Sequence, residues 1–233
     1  MACNNNNNDN DDYEIVLIDN ENDARLCAQV LSKEFSLSNP LVVFNKYKSE
    51  QILTTRLWPL MTEVLDEKLS FLVRHRPTNE IVAAMVSTDF FLYQQKHPNE
   101  YPKSSSGSSA SDMYADMRHR FIHHDLPHQL EPNMMIFVVI VATSSQHVGK
   151  GLAGRLGAHV CRYAKHVRGF QYAFVQTSNA ATRHIYTTKL NGKETSILHP
   201  KNWLWKTDDN QDGTYPFQDY DDEPIVNILV ELK

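Results

Sequence analysis

Apolar positions are absent from the tract Asn4 to Asp12, so residues 1–12 read as a disordered Asn-rich tail that cannot bury surface. Patterning begins at Tyr13, where YEIVLI predicts a strand. Asp19-Asn20 then offers a helix cap, and Ala24, Cys27, Ala28 and Leu31 recur at helical spacing up to Phe35. Asn39-Pro40 marks a turn. From Ser49 a second helix carries Ile52, Leu53, Leu57, Leu60, Met61 and Val64 on one side, and Pro59 is expected to kink or divide it. Leu69 to Arg74 and Glu80 to Phe91 predict an antiparallel hairpin around Pro77-Thr78-Asn79.

Further along, Gln94 to Ser111 holds two prolines and the run SSSGSSAS, and reads as a surface loop; Asp112 to His124 follows as a helix. Met134 to Thr143 is the most apolar strand and is expected at the centre of a sheet. Gly149 to Val167 reads as a helix, Gln171 to Gln176 as a strand and Ser178 to Leu190 as a helix. Glu194 to Leu198 and Ile225 to Leu232 are expected as strands. Between those last two, Asp208 to Glu223 carries seven carboxylates and no Lys or Arg, which predicts a solvated, loose insert.

With 233 residues the chain suits one domain, expected over 13–233. No apolar run approaches the roughly 20 residues that span a bilayer, and the start lacks a signal-peptide pattern. Cys3, Cys27 and Cys161 are far apart, as in a reducing compartment, so the expectation is a cytoplasmic protein with no membrane partner and no metal. A net charge of -5 predicts no bulk attraction to nucleic acid and suits a cationic small molecule.

The sharpest chemistry lies in Val138 to Leu156, VVIVATSSQHVGKGLAGRL. A buried strand runs into a short polar connector, and the connector opens a helix. The first turn of a helix has unpaired N–H groups and the positive end of the macrodipole. Gly149, Gly151 and Ala153 would let phosphates approach that backbone, with Lys150 and Arg155 adding charge. A P-loop is excluded, because no Ser or Thr follows a GK pair. GxGxxG is formally present at 149–154, but no acidic residue lies about 20 positions on, as a dinucleotide fold needs. Close helix packing alone is the plainer reading of these glycines.

On these residues the chain resembles the GNAT acetyltransferases. VATSSQHVGKGLAGRL is similar to the family's motif A, Arg/Gln-x-x-Gly-x-Gly/Ala, in the frame Val148-Gly149-Lys150-Gly151-Leu152-Ala153, with Val148 departing at the Arg/Gln position; a frame starting at Gln146 also matches. Asn179-Ala180-Ala181-Thr182-Arg183-His184-Ile185-Tyr186 is similar to motif B. There Lys189-Leu190-Asn191-Gly192 is displaced by one residue and lacks a Phe. The resemblance implies an α/β fold: a GNAT-type mixed, mostly antiparallel central sheet flanked by helices. It implies acetyl-CoA as co-substrate, cradled at Val148 to Ala153, with pantetheine and thioester on Val141, Ala142 and Thr143. It also implies Asn179 on the pantetheine and Tyr186 as the acid that protonates the leaving thiolate.

A narrower likeness joins Phe35-Ser36-Leu37-Ser38-Asn39-Pro40-Leu41 and GLAGRL to the arylalkylamine N-acetyltransferases of the insect dopamine-acetylating type. Those carry Glu, the general base, where this chain has Asn39. The resemblance thus implies acetyl transfer to a primary amine, of the small arylalkyl kind, by direct attack in a ternary complex. A protein N-terminal or lysine acetyltransferase and a non-catalytic CoA-binding module remain the alternatives, and a scaffold with an incidental Gly-rich turn is a third. Asp89 and His184 lie near expected site elements, without a motif, as candidate bases. Tyr186, Asn179 and the strand 141–143 also have plain readings, as packing, cap and paired backbone. His119 and His123 share helical spacing, but their Arg neighbours favour a solvated helix end over a metal pair. Trp203 and Trp205 read as a cover for core beneath the insert. The oligomeric state is open.

Overall fold

The computed structural model describes residues 12–97, 108–126, 128–207 and 210–233. The Asn-rich segment expected as a tail therefore lies outside the described residues, apart from Asp12, as does the SSSG run of the expected 94–111 loop. The chain's apolar pattern opens the fold as β1 (Tyr13–Leu17) and α1 (Glu21–Ser38), capped by Asn20, whose Oδ1 accepts from Asp23 N. α2 (Pro40–Phe44) follows, capped in turn by Asn39.

The second helical stretch is divided, as Pro59 demands. α3 (Ser49–Ile52) passes through a π-turn over Leu53–Leu57 into α4 (Trp58–Val64), and Pro59 sits in the first turn of α4, where a missing N–H costs least. β2 (Phe71–His75) and β3 (Glu80–Asp89) form the hairpin, with Asn79 supplying the left-handed residue of the turn at φ 58°. α5 (Phe90–Lys96) ends the strand earlier than the sequence suggested, because Asp89 caps it. α6 spans Ser109–Arg120 and closes in a π-turn over Phe121–Asp125.

β4 (Met135–Thr143), α7 (Leu152–His166) and β5 (Tyr172–Thr177) make a parallel crossover. α8 (Ala180–His184) continues as a π-turn to Lys189, and β6 (Lys193–Leu198) follows. A ribbon of β7 (Trp205–Thr207) and β8 (Asn210–Thr214) precedes the last strand, β9 (Ile225–Glu231). The sheet order is β1-β2-β3-β4-β5-β9-β6, antiparallel throughout except between β4 and β5.

The sheet carries apolar residues on both faces. Ile136, Val138, Ala173 and Val175 pack with Leu152, Leu156, Val160 and Tyr186 on the α7 side. Ala84, Val86, Ile140 and Ala142 pack under α1 and α4 on the other. The switch of β4 residues between the two faces has one cause. Val86 pairs with Ile140 and Ser87 with Val138, so Val139 is an extra residue, a β-bulge.

The acidic insert is not loose over its described part. Phe217 and Tyr220 are buried with Leu41, Met113, Met117, Trp203 and Ile225. The indoles of Trp203 and Trp205 donate to Asp116 and Asp112 of α6 at 3.0 and 2.9 Å. The error in the sequence reading came from counting carboxylates and passing over the aromatics between them, which anchor the segment while the charges face water. The two tryptophans cover core, as expected.

Candidate active site

Beyond the bulge, β4 and β5 part. Their parallel pairing stops at Val138 and Val175, although β4 continues to Thr143 and β5 to Thr177. On its other side β4 stays paired with β3, Met85 to Val141 and Ala83 to Thr143. Ser144 N donates to Val82 O at 2.7 Å, so alternation turns the N–H and C=O of Ala142 toward β3 and those of Val141 and Thr143 into the gap. Of the three expected strand residues, two thus offer backbone to a ligand. Ala142 turns its backbone groups to the sheet, a correction to the sequence expectation that all three would bind.

The connector after β4 ends at the same gap. Gly149 and Gly151 have φ of 84° and 71°, the left-handed region that β-carbons disfavour, and a Cβ at either would meet nothing within 4 Å. α7 starts at Leu152 with no side-chain cap, and its first intrahelical bond is Arg155 N to Gly151 O. The N–H groups of Leu152, Ala153 and Gly154 therefore face an open approach. Leu152 is buried in the core and Ala153 already helical, so both can bind only through the backbone. The two loop glycines stand three and five residues after Gln146, which favours the frame beginning there over the one beginning at Val148. Val148 is an exposed apolar residue at 68%. Cations gather here. Lys150 Nζ stands 5.7 Å from the Tyr13 ring, and Lys189 Nζ would lie 3.8 Å from a Cβ on Gly154. His147 shares a 3.0 Å hydrogen bond with the Tyr13 hydroxyl; burial, then the nearby His75 and Lys150, push its pKa down.

Tyr186 enters from the π-turn after α8 and is 1% exposed. Its hydroxyl donates to Met85 Sδ at 3.8 Å, and a Cβ on Gly157 would lie 3.4 Å from it. Met85 pairs with Val141, so the hydroxyl sits on the face of β4 at the splayed stretch. Burial raises its pKa well above the usual 10, so the phenol keeps its proton at neutral pH. Gly192 secures this turn: its N–H donates to Tyr186 O at 2.8 Å. Asn179 caps α8 through Oδ1, accepting from Thr182 N at 3.1 Å, and its Nδ2 has no partner among the described residues.

A polar cluster closes the far side of the gap, where β5 runs out. Ser178, 2% exposed, accepts from the Tyr114 hydroxyl at 3.0 Å and from Asn39 Nδ2 at 3.4 Å. Asn39 Oδ1 accepts from Val42 N at 3.0 Å. Burial raises the Tyr114 pKa. The sequence marked Asn39 by position and Ser178 only as the start of a helix, and it missed Tyr114, which no motif marks. Below it, Gln176 Oε1 accepts from Arg118 Nη1 at 3.2 Å, and Gln176 Nε2 donates to Asn227 Oδ1 at 3.0 Å.

Neither candidate base is at the site. Asp89 pairs with Ile136, at the opposite end of β4, and its carboxylate accepts from Phe91 N and Asn133 N at 2.9 and 2.7 Å. His184 is exposed on α8. The His119 and His123 rings lie 4.2 Å apart between centroids, and among the described residues no three His, Cys, Asp or Glu side chains gather as a metal set.

No protein-family model matches the sequence, and none of the curated proteins does. Solved structures do match. The C-terminal condensation domain of Ebony, in complex with beta-alanyl-dopamine, superposes with a TM-score of 0.75 at 15% identity, covering 94% of this chain and 98% of that one. Arylalkylamine N-acetyltransferase 2 from Aedes aegypti gives 0.66 at 13%, covering 95% and 99%. The Drosophila melanogaster polyamine N-acetyltransferase, which forms N-acetylagmatine, gives 0.62 at 16%, covering 95% and 100%.

The fold is that of the GNAT acetyltransferases. At these identities the likeness is one of fold. In this chain the splay of β4 from β5 and the glycine turn before α7 stand together. The sheet is mixed and mostly antiparallel, as expected.

Proposed function

We propose that this chain is an acetyl-CoA-dependent N-acetyltransferase acting on a small primary amine. One observation carries the reading. A splayed strand edge with free backbone at Val141 and Thr143 ends in a glycine turn whose helix N-terminus is uncovered. That pair of features suits a long thioester arm tipped by a diphosphate. The residues fit the ligand: no Cβ fills the cradle, and Lys150 and Lys189 add positive charge beside it. The neighbours, which act on arylalkylamines and polyamines by their descriptions, support amine acylation.

Acetyl-CoA supplies the activated acetyl group. The chain's own residues do the rest. The N–H groups of Leu152, Ala153 and Gly154 hold the diphosphate at the helix dipole. Val141 and Thr143 extend β4 onto the pantetheine and aim an N–H at the thioester oxygen, where negative charge grows during attack. Asn179 Nδ2 is free to join them. Tyr186, kept protonated by burial, serves as acid toward the leaving thiolate. Holding both substrates in line supplies much of the acceleration. The domain spans 13–233, without a metal and without nucleic acid or membrane as partner, in the cytoplasm. No helix among the described residues is long and apolar enough to cross a membrane.

Thiol release from acetyl-CoA in the presence of an amine panel tests the proposal. Amine-dependent thiol release is expected. Acetyl-CoA binding with no release from any amine would favour a non-catalytic CoA-binding module, and no binding at all would remove the reading.

A further inference from the structure

The cluster at the end of β5 contains no group able to take a proton. Asn39 Oδ1 is occupied by Val42 N, and its Nδ2 is a donor. Ser178 Oγ accepts two hydrogen bonds, from Tyr114 and Asn39, and its own proton has no acceptor among the described residues. A hydroxyl so placed can only donate to whatever lies in the gap. Tyr114 spends its one proton on Ser178, and burial raises its pKa. The charges that act on Tyr114 are Arg56 of the π-turn after α3 and Arg118 of α6. The carboxylates of α6, Asp112 and Asp116, are held by the indoles of Trp205 and Trp203. Asp222 and Glu223 act on Tyr220 beyond Tyr114. Glu34 of α1 is buried five residues before Asn39.

Donors and cations disfavour an ammonium and can hold a free amine through its lone pair. Resting on the acetyltransferase reading, we propose that this site takes its acceptor only as the free base, and that its acceptor is a weakly basic amine: an α-amine of an amino acid or peptide, or an arylamine. With a free amine the step balances without a base. Nitrogen forms the N–C bond, the C–S bond breaks and the thiolate takes the Tyr186 proton. The proton that nitrogen then sheds replaces the one the tyrosine gave, so no net proton has to leave the site. An ammonium would bring one proton more, with no group to receive it. The consequence is large. At pH 7 an α-amine of pKa about 7.8 is roughly a tenth neutral, whereas an alkylamine of pKa about 10.4 is neutral about once in 2,500 molecules. The amine class thus differs from the arylalkylamine that the sequence suggested.

Initial rates of thiol release by the full chain, from pH 6 to 10, test this with phenethylamine and phenylalanine amide. For phenethylamine kcat/KM is expected to climb about tenfold per pH unit past pH 9, following the amine's own free fraction. For phenylalanine amide the curve should level about two and a half units lower, leaving the amide ahead by roughly a few hundredfold at pH 7. Asn39→Asp keeps the cap on Val42 and adds a carboxylate beside Ser178, so the phenethylamine curve should move at least one unit to acid. A common inflection below pH 8 for both amines in the unmodified chain would reveal an enzyme base and overturn the proposal; its loss in Glu34→Gln would identify that base. An unshifted curve in Asn39→Asp would take the cluster out of the acceptor site and likewise overturn it. Either result leaves acetyl transfer intact, whereas no thiol from any amine at any pH would overturn both readings.

Discussion

Gly151 and Gly169 allow backbone strain to be separated from ligand binding. Both are left-handed, with φ of 71° and 81°, and a Cβ on either would meet nothing within 4 Å. Gly151 opens α7 at the cradle; Gly169 follows the other end of the same helix. Alanine at either site costs only the left-handed penalty, about 1–2 kcal/mol. For a chain of this length each kcal/mol lowers Tm by about 2–4 °C, so both variants should melt about 2–8 °C early. Their affinities for acetyl-CoA should then diverge. Gly169→Ala should bind as the unmodified protein does. In Gly151→Ala the methyl occupies the space in which the diphosphate approaches the N–H groups, and affinity should fall at least tenfold. Scanning fluorimetry and isothermal titration calorimetry read the two effects. Equal melting losses with equal affinities would refute the argument, because the open space at Gly151 would then not be the ligand's.

Three other outcomes are expected. Tyr186→Phe removes one hydroxyl whose contact is Met85 Sδ at 3.8 Å, so Tm should move by less than about 2 °C while kcat falls at least tenfold with acetyl-CoA affinity unchanged; stopped-flow thiol release checks it. Gly192→Ala would place a Cβ 2.8 Å from Tyr186 O and 2.7 Å from Ile228 Cγ2, an overpacking that costs about 1–3 kcal/mol and should lower Tm by several degrees. Glu194 is held below its ordinary 4.5 by Arg183, which reaches it at 2.6 and 2.8 Å. A depressed carboxylate stabilises above its unfolded pKa and loses that contribution as pH falls through the folded one. The partly exposed pair contributes about 0.5–1 kcal/mol, so urea melts of Glu194→Gln should show a deficit of that size at pH 6 that closes toward pH 3.

Much of the architecture was legible because it rests on local pattern. The apolar run 134–142 reads as a central strand, and Asn20 and Asn179 read as helix caps, their side-chain oxygens accepting from an N–H three residues on. Asn39 read only as a turn, and the short helix it caps was missed. The glycine turn before α7 was legible as well, because two left-handed positions call for glycine. Its frame was not: both frames satisfy the same spacing, and only the start of α7 at Leu152 separates loop glycines from helical Ala153. Tyr114 and the bulge at Val139 were invisible for a related reason. A bulge leaves no residue signature in a run of valines, and Tyr114 gains its place from a partner, Ser178, 64 residues away. Asp89 misled because a carboxylate ending a strand reads alike as base or cap, and only the topology shows which end of the sheet it occupies.

The most direct test of the account is the position of acetyl-CoA in a crystal structure of the complex. The diphosphate should accept from the N–H groups at the start of α7, and the pantetheine should run along Val141 and Thr143 with its sulfur beside the Tyr186 hydroxyl. A nucleotide seated elsewhere, with β4 and β5 still empty between them, would contradict it.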